Sequence, residues 1–200
     1  MEKTYRAIRH DVVRKKQREN EDECHHPIEK INQIRNTLSG LSSLKIMELF
    51  AGKGNLTSIY KEFGEVESYD KLLKTGDSYL LFHKLIYEKR KYDVIDIDPY
   101  GFPNRFFPDV FLLLEKGYMF LTMPKPYVNI LNGITRQHLT CYYGLSNPPL
   151  DKILERLYNF GLCHWRKCDF LDVQDLKSIW RIAMKVERVL ATEYCGVRNR

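Results

Sequence analysis

The chain has 200 residues, 44% apolar and 12% aromatic, which describes one globular domain with room for a hydrophobic core and excludes a disordered chain. Thirty-two Lys and Arg against 26 Asp and Glu leave a net charge of +6, the sign that suits a partner made of phosphates. No apolar run approaches a membrane span, the charged N-terminus has no signal-peptide core, and cysteines 24, 141, 163, 168 and 195 form no disulfide framework; the expectation is a reduced, cytoplasmic protein without a membrane partner.

Residues 1–43 read as a charged, helical extension ahead of a domain at 44–200. The extension carries the basic run Arg14-Lys-Lys-Gln-Arg18, an acidic patch at 19–23, and Ile28, Ile31, Ile34 and Leu38 at spacings that predict an amphipathic helix. The basic run is either a phosphate contact or a solvated helix face. Strand and helix then alternate. Strands are expected at 45–50, 67–70, 93–97 and 118–123. Helices are expected at 56–63 (stopped by Gly64), 78–88 (burying Leu80, Leu81, Leu85 and Ile86) and 108–115. This alternation predicts a mostly parallel sheet with helices on both faces. The last third predicts a helix at 150–160 capped by Gly161, then a β-hairpin formed by 162–171 and 178–189.

Two turns carry the chemistry. In Lys45-Ile-Met-Glu-Leu-Phe-Ala-Gly-Lys-Gly-Asn-Leu-Thr57 an apolar strand runs through Glu48 into Gly52 and Gly54. Glycines there let a ligand lie against the backbone, with the next helix start behind it. A nicotinamide dinucleotide fingerprint wants a third glycine where Thr57 stands. A carboxylate inside the motif repels phosphate but suits the ammonium of an amino-acid moiety, which favours S-adenosylmethionine. The loop is not a P-loop either, because Gly-Lys is not followed by Ser or Thr. The second turn, Asp98-Pro99-Tyr100-Gly101, ends the strand in Tyr92-Asp-Val-Ile-Asp-Ile-Asp-Pro-Tyr-Gly101. It is either an ordinary turn or a compact site for a planar base bearing an amino group.

The pairing of Glu48-Leu-Phe-Ala-Gly-Lys-Gly54 with Asp96-Ile-Asp-Pro-Tyr-Gly101 resembles the class I S-adenosylmethionine-dependent methyltransferases over residues 44–188. Over residues 92–104, Ile95-Asp-Ile-Asp-Pro-Tyr-Gly-Phe-Pro103 is similar to the core of the tRNA guanine exocyclic-amine (N2) dimethyltransferases, which carry an acid-Pro-Phe-Gly signature. The resemblance implies an α/β Rossmann-like fold, a doubly wound, mostly parallel sheet ending in an antiparallel hairpin. It also implies methyl transfer to a nucleobase amine. The appended C-terminal domain usual in the tRNA family is not expected here.

In that frame Glu48 meets the methionine ammonium, while Phe50, Ala51, Gly52 and Gly54 shape the loop beneath it. Asp70 is placed for the ribose hydroxyls. Asp77 is placed either for the adenine amine or to cap the helix that follows. Asp98 and the Pro99 carbonyl accept hydrogen bonds from the target amine and Tyr100 stacks on its ring, making these the catalytic candidates. Gly101, Arg105, Lys125 (within Met123-Pro-Lys-Pro-Tyr127) and Arg136 are candidates for gripping substrate. His138 with Cys141, and Cys163-His164 with Cys168, lack Cys-x-x-Cys spacing, and no metal is expected. Tyr100-Gly101 departs from the second-proline pattern, Asp-Pro-Pro-Tyr, of DNA amino-methyltransferases, which leans the reading towards RNA. The rivals are a DNA amino-methyltransferase and a catalytically silent nucleic-acid-binding protein that keeps the fold.

Overall fold

The computed structural model describes residues 26–70, 73–126 and 133–189, so the basic run at 14–18, the acidic patch at 19–23, Cys24, Tyr127 and Cys195 lie outside the described residues. Helix α1, Pro27–Thr37, opens the described chain. Strand β1, Leu44–Leu49, leads to helix α2, Asn55–Tyr60, and strand β2, Gly64–Tyr69. Helix α3, Ser78–Tyr87, precedes strand β3, Val94–Ile97. A 3₁₀ turn, Asn104–Phe106, runs into helix α4, Phe107–Leu113, and then strand β4, Gly117–Pro124. Helices α5, Gly133–Tyr143, and α6, Leu150–Cys163, precede the hairpin of β5, Arg166–Asp175, and β6, Ile179–Arg188.

The six strands form one sheet in the order β2-β1-β3-β4-β6-β5. Strands β1 to β4 pair in parallel, and β6 inserts antiparallel between β4 and β5. The expected parallel sheet finished by a hairpin is therefore the observed one. Because side chains alternate across a strand, each strand divides its residues between two cores. Met47, Leu49, Ile95, Ile97, Met119, Leu121, Ile182 and Met184 pack against α3, α4 and α6, with Phe82, Phe107, Phe111, Ile153 and Leu157. Ile46, Val94, Phe120 and Ala183 face the other way, onto Ile34 and Leu38 of α1 and Leu56 and Tyr60 of α2.

Several local expectations shift. Ile28 is 70% exposed, and the inward face of α1 instead carries Lys30, Gln33, Ile34 and, just beyond the helix, Leu38. Leu80 is also 70% exposed, and Phe82 takes the core position, so the buried stripe of α3 is rotated from the expected one. Gly64 begins β2 rather than stopping a helix. Gly161 does not cap α6; it lies inside the helix, where a Cβ would fall 2.8 Å from Cys168 Sγ and 2.9 Å from the Arg166 carbonyl. That close approach of α6 to β5 is why a glycine stands there. Cys163 ends α6 and is exposed, while Cys168 is buried on β5, so the two are not on one strand.

Candidate active site

Strands β1 and β3 are adjacent and parallel, with Leu49 beside Ile97. The turns that follow them therefore leave the sheet at the same edge, side by side. They also touch: the Asp98 amide donates to the Leu49 carbonyl at 3.4 Å. The loop after β1 is anchored to the end of β2, where the amides of Phe50 and Ala51 donate to the Tyr69 carbonyl at 2.8 and 3.3 Å. Phe50, Gly52 and Gly54 all adopt positive φ, at 66°, 57° and 83°. For the glycines this is unstrained; for Phe50 it is uncommon, and its ring is held edge-on to Phe106 at 5.6 Å. A Cβ added at Gly52 or at Gly101 would meet nothing within 4 Å, so both turns border open space.

Asp70 follows β2 and is buried, and its Oδ2 accepts the Gly52 amide at 3.1 Å. Glycine loop and strand-two acid are thus joined directly. Asp77 is the N-cap of α3: its Oδ1 accepts the amides of Tyr79 and Leu80 at 2.9 and 3.3 Å. Of its two expected roles, the capping one is what the structure displays.

Glu48 lies on the α1/α2 face of β1 and is 2% exposed. Its Oε2 accepts hydrogen bonds from the hydroxyls of Thr57 and Ser68. Burial pushes its carboxyl up to about 7 against those two hydrogen bonds, and the charges of Asp96 and Asp98 push the same way. Asp96 stands directly beside Glu48 on the neighbouring strand. It is fully buried and bidentate with Arg181 of β6, at 2.8 and 2.6 Å, and it also accepts the Tyr60 hydroxyl at 2.6 Å. Arg181 donates further to Thr122 Oγ1 at 3.0 Å. Burial works against the Arg181 charge, but Asp96 raises its affinity for a proton beyond that of a free arginine.

No protein-family model and no curated protein sequence matches this chain. Among solved structures, Trm1 from Pyrococcus horikoshii, in complex with S-adenosyl-L-methionine, superposes with a TM-score of 0.61 at 15% identity, covering 86% of this chain and 58% of that one. A Streptococcus mutans protein classed as an S-adenosylmethionine-dependent methyltransferase gives 0.56 at 13% identity, covering 76% and 48%. Magnesium protoporphyrin IX methyltransferase (ChlM) from Synechocystis PCC 6803, with bound S-adenosylhomocysteine, gives 0.50 at 10% identity, covering 81% and 82%. The chain has the Rossmann-like methyltransferase fold. It spans about half the length of the first two of these proteins, 58% and 48%.

On this methyltransferase fold, the turn after β3 carries one residue that sequence reasoning missed. Lys30 Nζ, from α1, donates to Asp98 Oδ1 at 2.8 Å and Oδ2 at 2.6 Å. Burial would raise the Asp98 carboxyl, but the charges of Lys30 and Arg181, with hydrogen bonds from Lys30 and Thr122, hold it below the usual carboxylate range. Pro99 is half-buried, and Tyr100 beside it is 69% exposed. The substrate candidates scatter. Arg105 is exposed and lies over the Tyr79 ring at 4.1 Å, and Arg136 is exposed on α5. Lys125 is not a free-standing grip: it is buried, ion-paired with Asp175 of β5, and sits over the Trp180 ring. Lys30 had a signal in the sequence, since it lies one turn before Ile34 on the stripe that continues to Leu38. A lysine on an apolar stripe asks for a buried partner.

Proposed function

We propose that this chain is an S-adenosylmethionine-dependent methyltransferase acting on an exocyclic amine of a nucleobase, in RNA of a tRNA-like kind with guanine as the base. The observation that carries this reading is the adjacency of two turns on one sheet edge: the glycine loop joined to Asp70, and the Asp98-Pro99-Tyr100 turn tied to Leu49. The Gly52 side is open, so the loop fits a ligand laid against its backbone. When bound, S-adenosylmethionine would supply a methyl group on a sulfonium sulfur: the amine lone pair would attack the methyl carbon in line, the carbon–sulfur bond would break, and S-adenosylhomocysteine would leave with that bonding pair.

The chain's own residues then align and polarise rather than perform acid chemistry. Asp70 accepts from the ribose hydroxyls, and ionised Glu48 faces the ammonium. An aromatic amine has its lone pair delocalised into the ring. Hydrogen bonds from that amine to Asp98 and the Pro99 carbonyl favour a pyramidal nitrogen as positive charge develops on it. Asp98, held ionised, acts as acceptor and stabilises that charge, and the surplus proton leaves to water. Tyr100 stacks on the base. The net charge of +6 and the exposed Arg105 and Arg136 suit the phosphates that flank such a base. The narrow likeness of residues 92–104 to the tRNA guanine enzymes supports the choice of RNA.

The test is a calorimetric titration with S-adenosylhomocysteine, followed by transfer of a labelled methyl group to total tRNA, ribosomal RNA or DNA. Binding followed by labelled N2-methylguanosine in tRNA supports the full reading. Labelled N6-methyladenine in DNA would replace the substrate, and absence of binding would leave a nucleic-acid-binding protein that keeps the fold.

A further inference from the structure

We propose that Lys30 is a positioning residue for Asp98: its ammonium keeps that carboxylate ionised and aimed at the acceptor turn, so that helix α1 belongs to the catalytic apparatus. This rests on the methyltransferase reading of the same site.

The geometry is specific. Lys30 is 2% exposed, on a helix face otherwise made of Gln33, Ile34 and, past its end, Leu38. An apolar residue would fill such a position with no desolvation cost, so a buried ammonium there needs an electrostatic reason. Its Nζ touches both Asp98 oxygens, at 2.6 and 2.8 Å, across 68 positions of sequence. A carboxylate has about four lone-pair positions, so the two contacts from Lys30 and the one from Thr122 leave acceptor capacity for an incoming amine. The Asp98 side chain keeps 20% exposure, while that of Lys30 keeps 3%, so the acid reaches the open edge and the lysine stays behind it.

The charges around the pair make Lys30 the decisive one. Strand β1 presents Glu48 and strand β3 presents Asp96 on this face; α2 contributes Tyr60 and β4 contributes Thr122. The other cation of this cluster is Arg181 of β6, and both of its terminal nitrogens are engaged by Asp96. Asp98 therefore shares a face with two further acids, and Lys30 is the cation that contacts it. Without Lys30, burial and like charge favour the protonated acid against only the charge of Arg181, which is spent mainly on Asp96, and a hydrogen bond from Thr122. A protonated Asp98 would present a donor in place of an acceptor and would no longer draw the amine's hydrogens.

The test compares the full-length wild type with Lys30→Met, which keeps the stem and removes the charge, and with Lys30→Arg, which restores it. Carbon-13 NMR follows the Asp98 carboxyl, assigned by loss of its signal in Asp98→Asn. In Lys30→Met the Asp98 midpoint is expected to rise by about 1–3 units, and in Lys30→Arg to stay near wild type. The acidic limb of the pH–rate profile for methyl transfer is expected to move up by the same amount in Lys30→Met, with recovery at high pH. The dissociation constant for S-adenosylhomocysteine should stay within about threefold, because the pair faces the acceptor and not the donor. An unmoved Asp98 titration in a folded Lys30→Met protein overturns the proposal, as does a loss of turnover equal at every pH. If Lys30→Met does not fold, Lys30→Gln is read against Lys30→Arg by the same two measurements. Failure of the wild type to bind S-adenosylhomocysteine would instead remove the methyltransferase reading, while the carboxyl titration would still judge the pairing.

Discussion

Glu48 and Asp96 stand side by side on adjacent parallel strands, facing the same helices, and both are at most 2% exposed. Arg181 compensates Asp96 directly, whereas the partners of Glu48 among the described residues are the hydroxyls of Thr57 and Ser68. That difference has a consequence for pH. Burial raises the Glu48 carboxyl from 4.5 to about 7, so the folded protein holds a proton there that the unfolded chain releases. The stability contribution is complete below pH 4.5 and is lost as pH rises to about 7. At 1.36 kcal/mol per unit, the loss amounts to about 3 kcal/mol. Glu48→Gln should therefore gain stability relative to wild type from pH 4.5 to 7 and stay level above it, as urea melts at a series of pH values would record. Parallel curves for the two proteins would refute it.

The same titration bears on the cofactor. Glu48 offers a carboxylate to an ammonium only when ionised, so affinity for S-adenosylmethionine should strengthen as pH rises through about 7. In Glu48→Gln that rise should vanish. Calorimetry at pH 6 and 8 decides between the two.

Asp70 receives the Gly52 amide and sits where the ribose hydroxyls are expected. Asp70→Ala should weaken cofactor binding by about tenfold or more, because it removes two charge-assisted hydrogen bonds and loosens the loop. Unchanged affinity would take Asp70 out of the site.

Asp98→Ala separates binding from chemistry. Cofactor affinity should remain near wild type while turnover falls by roughly 10²–10³-fold, the usual cost of deleting one preorganised group that stabilises developing charge. Single-turnover rates with the accepted nucleic acid are the measurement, and near-normal turnover would exclude Asp98 from catalysis.

Arg181 tests the buried network. Arg181→Met leaves Asp96 charged and fully buried with the Tyr60 hydroxyl as its remaining side-chain partner among the described residues, which should cost about 3–5 kcal/mol of stability. Chemical denaturation checks the size of the loss.

Much of this was readable from residues. The parallel sheet, the hairpin, the glycine loop and the acid turn were legible because apolar strands of four to eight residues alternate with helical stripes and end in Gly, Pro or Asp. Asp98 and Gly52 share a sheet edge, and that follows from parallel strands being neighbours. What escaped the sequence was pairing across long separations. The partner of Lys30, Asp98, lies 68 residues on, and that of Arg181, Asp96, lies 85 residues back, so no local pattern names either pair. Gly161 read as a helix end because only the tertiary approach of β5 explains a glycine inside α6. Lys125 read as a phosphate grip because Asp175, its partner, lies 50 residues on.

Strand β6 supplies the counter-charge for an acid in the middle of the sheet, and it enters the sheet between two strands that both precede it in the chain. During synthesis, Asp96 emerges well before Arg181. Until β6 is made, β4 lacks its antiparallel neighbour and Asp96 lacks its guanidinium partner. Closure of the sheet and neutralisation of its buried acid therefore come together, with the β5–β6 hairpin.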